Sequence, residues 1–475
     1  MDTSRALLVC LVTAVAPRLF AQSSRAALTP GAFAITNVTV VPVTADTVLP
    51  NMTVLVRDGR IAAVAANRAL AIPAGTRRID GSGKFLIPGL ADMHAHLYAD
   101  ESAPDSVAPY ELGVFLANGV TAARLMIGTP AQLALRREVE AGPVLGPQLW
   151  SASPQLTGRP ATNARVVTTP EEARAAVNEA VNAGYDFVKL TTFISRPVYD
   201  AVIDEAARRH IRVVGHVDPQ VGLARAFAAG QQIEHLDNYL ESVLADSAPM
   251  KISVSDRGVF YPRNWESIDY IDDAKIARIA GATARANVWS TPTLTMFKTA
   301  FGVRLTDEEI RSRPDFEVMP PAFRAMYLRG RERYWSTAAS EERRRRWVDV
   351  RNRLVKAIRD SGGRIMAGSD TPEWLLTYGW TLHRELESLV AAGLTPYEAL
   401  VAATRTPAEF LGASADWGTI ERGKRADLVL LSANPLTDIR NTMRIEGVSI
   451  GGRWLDAVER ERLVRRAREM LAATQ

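Results

Sequence analysis

Thiols and imidazoles are scarce in this chain: of its 475 residues one is cysteine, Cys10, and six are histidine. Cys10 lies in an apolar N-terminal stretch that reads as an export signal, so the processed chain carries no thiol. Disulfides are thereby excluded, and any metal site must use nitrogen and oxygen donors. A charge excess is missing too. The 57 Lys and Arg residues nearly balance 53 Asp and Glu, for a formal net charge of +4, which gives little support to nucleic-acid binding. Long hydrophobic runs are also missing. The run from Ala6 to Ala16, behind Arg5, is too short to span a bilayer and matches the n- and h-regions of a secretory signal. Cleavage after Ala21 is favoured, because Pro17 would follow a cut after Ala16. Residues 1–21 are therefore read as a signal peptide, and the protein as periplasmic or secreted with no stable membrane anchor. Repeats of solenoid period and low-complexity tracts do not occur.

What is present is ordinary globular material, 47% hydrophobic and 23% charged, enough for a large core. The densest basic run, Arg343 to Arg346, is flanked by Glu341, Glu342 and Asp349. Trp347, Val350, Leu354 and Ile358 follow at helical spacing, so the run reads as the solvated face of a helix.

Short β segments fill residues 34–86, with Asp58-Gly59 between two apolar runs as a hairpin signal. The same style returns near the C-terminus in Gly418 to Ile420, Ala426 to Leu431 and Ile445 to Trp454. The expected organisation is a small discontinuous β-sandwich domain from residues 30–86 and 416–460, a central unit over 87–415 and a C-terminal helix over 461–475. In the central unit strand-like runs alternate with helical ones. The strands are Ile87 to His96, Val120 to Met126, Gln148 to Ser153, Phe187 to Phe193, Ile211 to Val217, Gln231 to Leu236, Val288 to Leu294 and Arg364 to Ser369. Eight strands alternating with helices predict an α/β fold, a (β/α)8 TIM barrel, whose chemistry sits at the C-terminal strand ends. Thr169-Pro170-Glu171-Glu172 carries the cap, proline and acids of a helix start. Phe297 to Glu342 reads as a helical insertion that partly covers the barrel mouth.

Polar side chains collect at those strand ends. His94 and His96 stand two apart in Asp92-Met93-His94-Ala95-His96, a spacing that points both imidazoles the same way along a strand. Lys189, His216, His235 and Asp370 end four further strands. Burying four histidines, a lysine and an aspartate near one mouth would be costly unless they were paired or metal-bound.

These residues, with Pro88 to His96, Asp186 to Lys189, Gly368 to Thr371, Glu385 to Pro396, Ala403 to Ala408 and Gly418 to Val429, resemble the amidohydrolase superfamily. Within it the chain looks like the imidazolonepropionase-like and Xaa-Pro dipeptidase-like group. The resemblance implies two divalent metal ions, usually zinc, with His94, His96 and Asp370 on one and His216 and His235 on the other. It implies that Lys189 bridges both as a CO2-derived carbamate, since a free ammonium has no acceptor to offer. It also implies that a metal-activated hydroxide attacks the carbonyl while Asp370 acts as general base and then general acid.

The expected function is an exported metal-dependent amidohydrolase cleaving a C–N bond in an amide, peptide or cyclic amide, with Xaa-Pro dipeptides or N-acyl amino acids as small-molecule substrates. The same site on the same fold also suits a lactonase, carbamate hydrolase or phosphotriester hydrolase. An exported metal- or ligand-binding protein without catalysis is the remote third class. Tyr239, four residues beyond His235, is the candidate for substrate binding. His383 is read as a supporting residue rather than a ligand, and Arg263 and Trp265 are placed in a loop free to line the mouth. A homo-oligomer is left open.

Overall fold

The computed structural model describes residues 31–97, 107–161, 163–249, 265–302, 304–319, 321, 324–325, 328–329, 340–372 and 375–473. The expected signal segment, Cys10 and Arg263 lie outside the described residues. No helix among those described is long and apolar enough to cross a membrane.

The chain opens with β1 (Phe33–Val40), β2 (Leu49–Arg57), β3 (Arg60–Ala66), β4 (Arg77–Asp80) and β5 (Phe85–Pro88). Asp58 and Gly59, at φ 52° and 75°, close the β2–β3 hairpin in the left-handed conformation that an Asp-Gly pair tolerates. Eight strand–helix units follow. Their strands are β6 (Leu90–Ala95), β7 (Val120–Leu125), β8 (Gln148–Ser151), β11 (Phe187–Leu190), β12 (Arg212–Gly215), β13 (Gln232–Glu234), β14 (Trp289–Thr291) and β15 (Arg364–Ile365). Two short strands absent from the expectation, β9 (Gln155–Thr157) and β10 (Ala164–Val166), leave the loop after β8 and extend the sheet beside β11. The intervening helices include Ala108–Ala117, Pro170–Ala183, Arg196–Arg209, Asp273–Arg285 and Glu341–Asp360. This is the strand-then-helix order of a TIM-type fold. Its strands run parallel in two sheets, β6-β7-β8 and β10-β9-β11-β12-β13-β14-β15. Single bridges, Ala152 to Phe187 and Ala95 to Thr371, link them.

The chain returns to the first sheet through β16 (Leu428–Leu431), β17 (Ile445–Ile450) and β18 (Arg453–Leu455). The unit expected as a small discontinuous β-sandwich draws its strands from both chain ends. The strands from both chain ends form one hydrogen-bonded sheet, β18-β17-β16-β5-β1-β2-β3, because β5 pairs with β1 on one side and β16 on the other. That sheet curls over its own core, so Phe33 on β1 meets Trp454 on β18 at 5.7 Å between ring centroids. Alternation along β16 puts Leu428 and Leu430 into that core and Val429 and Leu431 into the main one, so both faces are buried.

The run read as one strand from Ile87 to His96 is two. Gly89 is the switch between sheets: a Cβ there would lie 2.0 Å from Thr121 Oγ1, so only glycine lets the backbone pass. The helix Pro170–Ala183 starts at Thr169, the expected cap, and the structure adds a capping box, the side chains of Thr169 and Glu172 each bonding the other's backbone N–H. In Glu341–Asp360, Trp347, Val350, Leu354 and Ile358 are buried, while Arg343 and Arg346 pair with Asp269 at the surface. Within the insertion, Ile310 and Met319 pack on Leu375, and buried Asp315 accepts bonds from Arg313 and from Thr377 at 2.5 Å. The insertion is thus pinned to the segment that follows Asp370.

Candidate active site

The C-terminal ends of the strands bring the expected residues together. His94 and His96 leave β6, and Asp370 follows β15. His96 Nε2 lies 3.1 Å and His94 Nε2 3.3 Å from Asp370 Oδ1. One ligand atom from each of these three residues falls within 4.8 Å of the others. His216, just past β12, and His235, just past β13, extend the cluster: ring centroids are 5.2 Å apart for His94 and His96, 4.5 Å for His94 and His235, and 4.8 Å for His216 and His235. Lys189 lies in β11, 1% exposed, and its charge interacts with Glu234 and Asp370. Gly215, at φ 123°, makes room for it, since a Cβ there would approach Leu190 O to 2.2 Å and Lys189 Cδ to 3.0 Å.

Each of three histidines has its Nδ1 committed to a protein oxygen. His94 Nδ1 meets Glu234 Oε2 at 2.7 Å, His216 Nδ1 meets Asp237 Oδ2 at 2.7 Å, and His235 Nδ1 meets Thr293 Oγ1 at 2.8 Å. Fixing one ring nitrogen orients the ring and sets the other's role, the usual support of a metal-ligating imidazole. His235 and Asp370 both hold left-handed backbone, at φ 60° and 59°. For non-glycine residues this costs free energy and persists where the surroundings enforce it. His235 N bonds Thr291 O at 2.8 Å, and Asp370 N bonds His94 O at 2.7 Å, supplying that enforcement.

Burial shapes the electrostatics. It pushes the His94 imidazole down to about 4 and that of His235 well below its usual value, so both rings are neutral donors at neutral pH. Burial raises the Asp370 carboxyl, but His94, His235 and His96 outweigh it and hold the group well below the usual carboxylate range. Lys189 is brought down to about 8 by burial, against the pull of Glu234 and Asp370. Its Nζ is buried without a hydrogen-bond partner among the described residues. Neutral imidazoles with oriented rings, an ionised carboxylate and an orphaned lysine amine form a donor set that fits divalent cations.

Sequence reasoning missed the layer behind these residues. Asp92 accepts from Ser369 N at 2.9 Å, Ser369 Oγ at 2.6 Å and His94 N at 3.2 Å, tying the start of the histidine pair to the Asp370 segment. Its two-residue spacing from His94 was a readable signal. Glu234, Asp237, Thr293 and Arg124 belong to the same layer. Tyr239 requires correction. It is fully buried, its hydroxyl meets Thr283 Oγ1 at 3.0 Å, and its ring packs edge-on to Phe227, so the phenol is a core group rather than a substrate contact. Its hydroxyl bonds the helix Asp273–Arg285 because a buried phenol needs a polar partner. His383 bonds Thr442 Oγ1 at 2.9 Å and Asn118 O at 3.0 Å, partners outside the histidine cluster. Trp265 begins a short 3-10 helix, Trp265–Tyr270.

This fold and cluster define a family. The model of the amidohydrolase family matches residues 85–455, and the chain belongs to that family. Among solved structures, a protein of Bifidobacterium longum designated a prolidase is 27% identical, with a TM-score of 0.66 over 93% of this chain and 100% of that one. A bottromycin amidohydrolase superposes with a TM-score of 0.72 at 22% identity, covering 93% of this chain and 90% of its own. An adenine deaminase of Paracoccus denitrificans is 38% identical over 61 residues, 13% of this chain. That alignment spans 10% of the deaminase's length, so it is a local likeness.

Proposed function

We propose that the protein is an exported amidohydrolase that cleaves a C–N bond in a small amide or peptide-like substrate, with Xaa-Pro dipeptides and N-acyl amino acids as the substrate classes. In this reading His94, His96 and Asp370 would hold one divalent ion and His216 and His235 a second, and Lys189, carboxylated, would serve as a ligand to both. The lysine assignment draws on its orphaned, buried amine, which burial brings down to about 8, so that more of it than of an ordinary lysine is in the uncharged form that CO2 carboxylates. The parallel sheets and their two bridges are taken as one eight-strand ring. When bound, the ions, zinc in our reading, supply Lewis acidity and lower the pKa of water.

The protein's own groups do the rest. Asp370 Oδ1, 3.1 and 3.3 Å from the Nε2 atoms of His96 and His94, sits at the convergence of the cluster. Ionised at neutral pH, Asp370 takes the proton from the attacking water and returns it to the departing amine nitrogen. Glu234, Asp237 and Thr293 keep the imidazoles from turning, so the reacting geometry is set before substrate arrives. The pinned insertion narrows the approach to the strand ends.

The observation that carries the proposal is the convergence of His94, His96 and Asp370 within 4.8 Å. Its peptide-like specificity leans on the likeness to the designated prolidase. Metal content per chain, measured with hydrolysis of Xaa-Pro dipeptides, N-acyl amino acids and lactones, tests it. About two metals and release of free amine are expected. Turnover of lactones alone would replace the C–N assignment, and a protein that neither binds zinc nor gains activity from it would overturn the reading.

A further inference from the structure

Arg124 is a fully buried cation in the otherwise uncharged strand β7, and its hydrogen bonds go to none of the clustered histidines. Its planar fork is used on three sides. Nε donates to Met93 O at 2.6 Å, Nη1 to Gln232 Oε1 at 2.8 Å and Nη2 to Glu234 Oε1 at 2.6 Å. Phe187 and Phe410 lie 5.7 and 5.3 Å from the guanidinium carbon and exclude water from it. The other oxygen of Glu234 is the one that meets His94 Nδ1 at 2.7 Å. One guanidinium therefore grips the carboxylate that holds the His94 ring and, through Met93 O, the backbone residue just before His94. β6, β7 and β13 are locked to one another at this point.

We infer that Arg124 is a positioning residue: acting through Glu234, it fixes the orientation and tautomer of His94, so that Nε2 stays turned toward Asp370 and is ready for a metal ion. The inference rests on the metal-site reading above. A lysine keeps the charge but cannot reproduce the fork, because an ammonium is a point charge without planar geometry. A neutral Arg124→Met/Glu234→Gln pair removes both buried charges at once. The amide oxygen introduced by Glu234→Gln can still accept from His94, but nothing then pins it.

The test compares wild type, Arg124→Lys and the double variant. Zinc affinity is read by competition with a chelator, the cobalt-substituted absorption spectrum reports ligand geometry, and thermal melting is followed in the metal-free protein. Zinc affinity is expected to fall by about ten- to a hundredfold in both variants, the cost typical of losing a metal ligand's supporting contact. An altered cobalt spectrum should accompany it. Variants that melt earlier yet bind zinc and cobalt like wild type would reduce Arg124 to a packing role and overturn the inference alone. Wild-type protein that binds neither metal would overturn the inference and the metal-site reading together.

Discussion

His94 and His216 are each held at Nδ1 by a carboxylate 2.7 Å away, but the two carboxylates live in different surroundings. Glu234, behind His94, is sealed inside the fold and ion-paired to Arg124, with neither side chain exposed. Burial alone would raise its pKa, yet Arg124 and then His94 pull it down to about 2. Asp237, behind His216, is 8% exposed, and among the described residues no arginine forms an ion pair with it. Among the cations that bear on it is Arg351, which gives its hydrogen bond instead to His235 O at 2.7 Å and stacks 3.5 Å from the Phe297 ring and 4.4 Å from Trp347. Burial pushes that guanidinium down to about 9, against Asp237 and Glu241. The His94 half is therefore backed by an internal ion pair, and the His216–His235 half by Asp237, Thr293 and the Arg351 bond to His235 O. Metal loss and mutational damage should differ between the halves.

Asp370 is the acid–base group of the proposed mechanism, so removing its charge should have the largest effect. Asp370→Asn is expected to lower kcat by about 10³- to 10⁴-fold, the upper range of general acid–base contributions. Far-UV circular dichroism should be unchanged, since Asn keeps the side chain's shape. Activity within tenfold of wild type would remove Asp370 from the mechanism and leave it as a ligand only.

The contrast between the arginines is sharpened by deleting each in turn and measuring urea unfolding. Arg124→Met strands Glu234 as an unpaired buried charge, which costs about 3–5 kcal/mol. Arg351→Met leaves a carbonyl short of its donor, a loss of about 1–3 kcal/mol. Equal losses would show that the two halves rest on equivalent supports.

Chelation should also separate the halves. Asp237→Asn is expected to weaken zinc binding about tenfold, at the low end for loss of a ligand's supporting carboxylate. Stepwise removal by a chelator should then release the metal of the His216–His235 half first. Simultaneous release of both metals in wild type and variant would mean that the halves do not act separately.

Much of this site was legible in the sequence, and what was not has a physical cause. The histidine pair at the end of β6 obeys the two-residue period of a strand, which made His94 and His96 readable. His235 breaks that period. Gln232 and Glu234 both reach Arg124, so simple alternation would turn the next residue away; the left-handed backbone at His235, φ 60°, swings its ring into the cluster instead. Strand alternation therefore could not assign Glu234 and His235 to one site. Arg124 carried a weak signal, a lone charge in the apolar run Val120 to Met126, but its partners lie 108 and 110 residues away. The strand–helix order was readable from hydrophobic runs, whereas the single curled sheet was not, because pairing β5 with both β1 and β16 is a long-range choice.

Tyr239 offers the smallest and most pointed test, because proximity in sequence to His235 suggested a place in the site while its hydroxyl bonds a helix behind it. Tyr239→Phe deletes the buried hydrogen bond to Thr283 and leaves the ring in its packing against Phe227. Stability should drop by about 0.5–1.5 kcal/mol, the net worth of a typical buried bond. The lost phenol also leaves the Thr283 hydroxyl its alternative bond to Ile279 O at 2.9 Å, which favours the lower end of that range. KM and kcat should stay within about twofold of wild type, whichever half of the histidine cluster limits the reaction. A large rise in KM with an unshifted melting temperature would return Tyr239 to the substrate pocket. It would also mean that the His235 turn opens during the catalytic cycle, since only a rearrangement there could bring the phenol to the mouth.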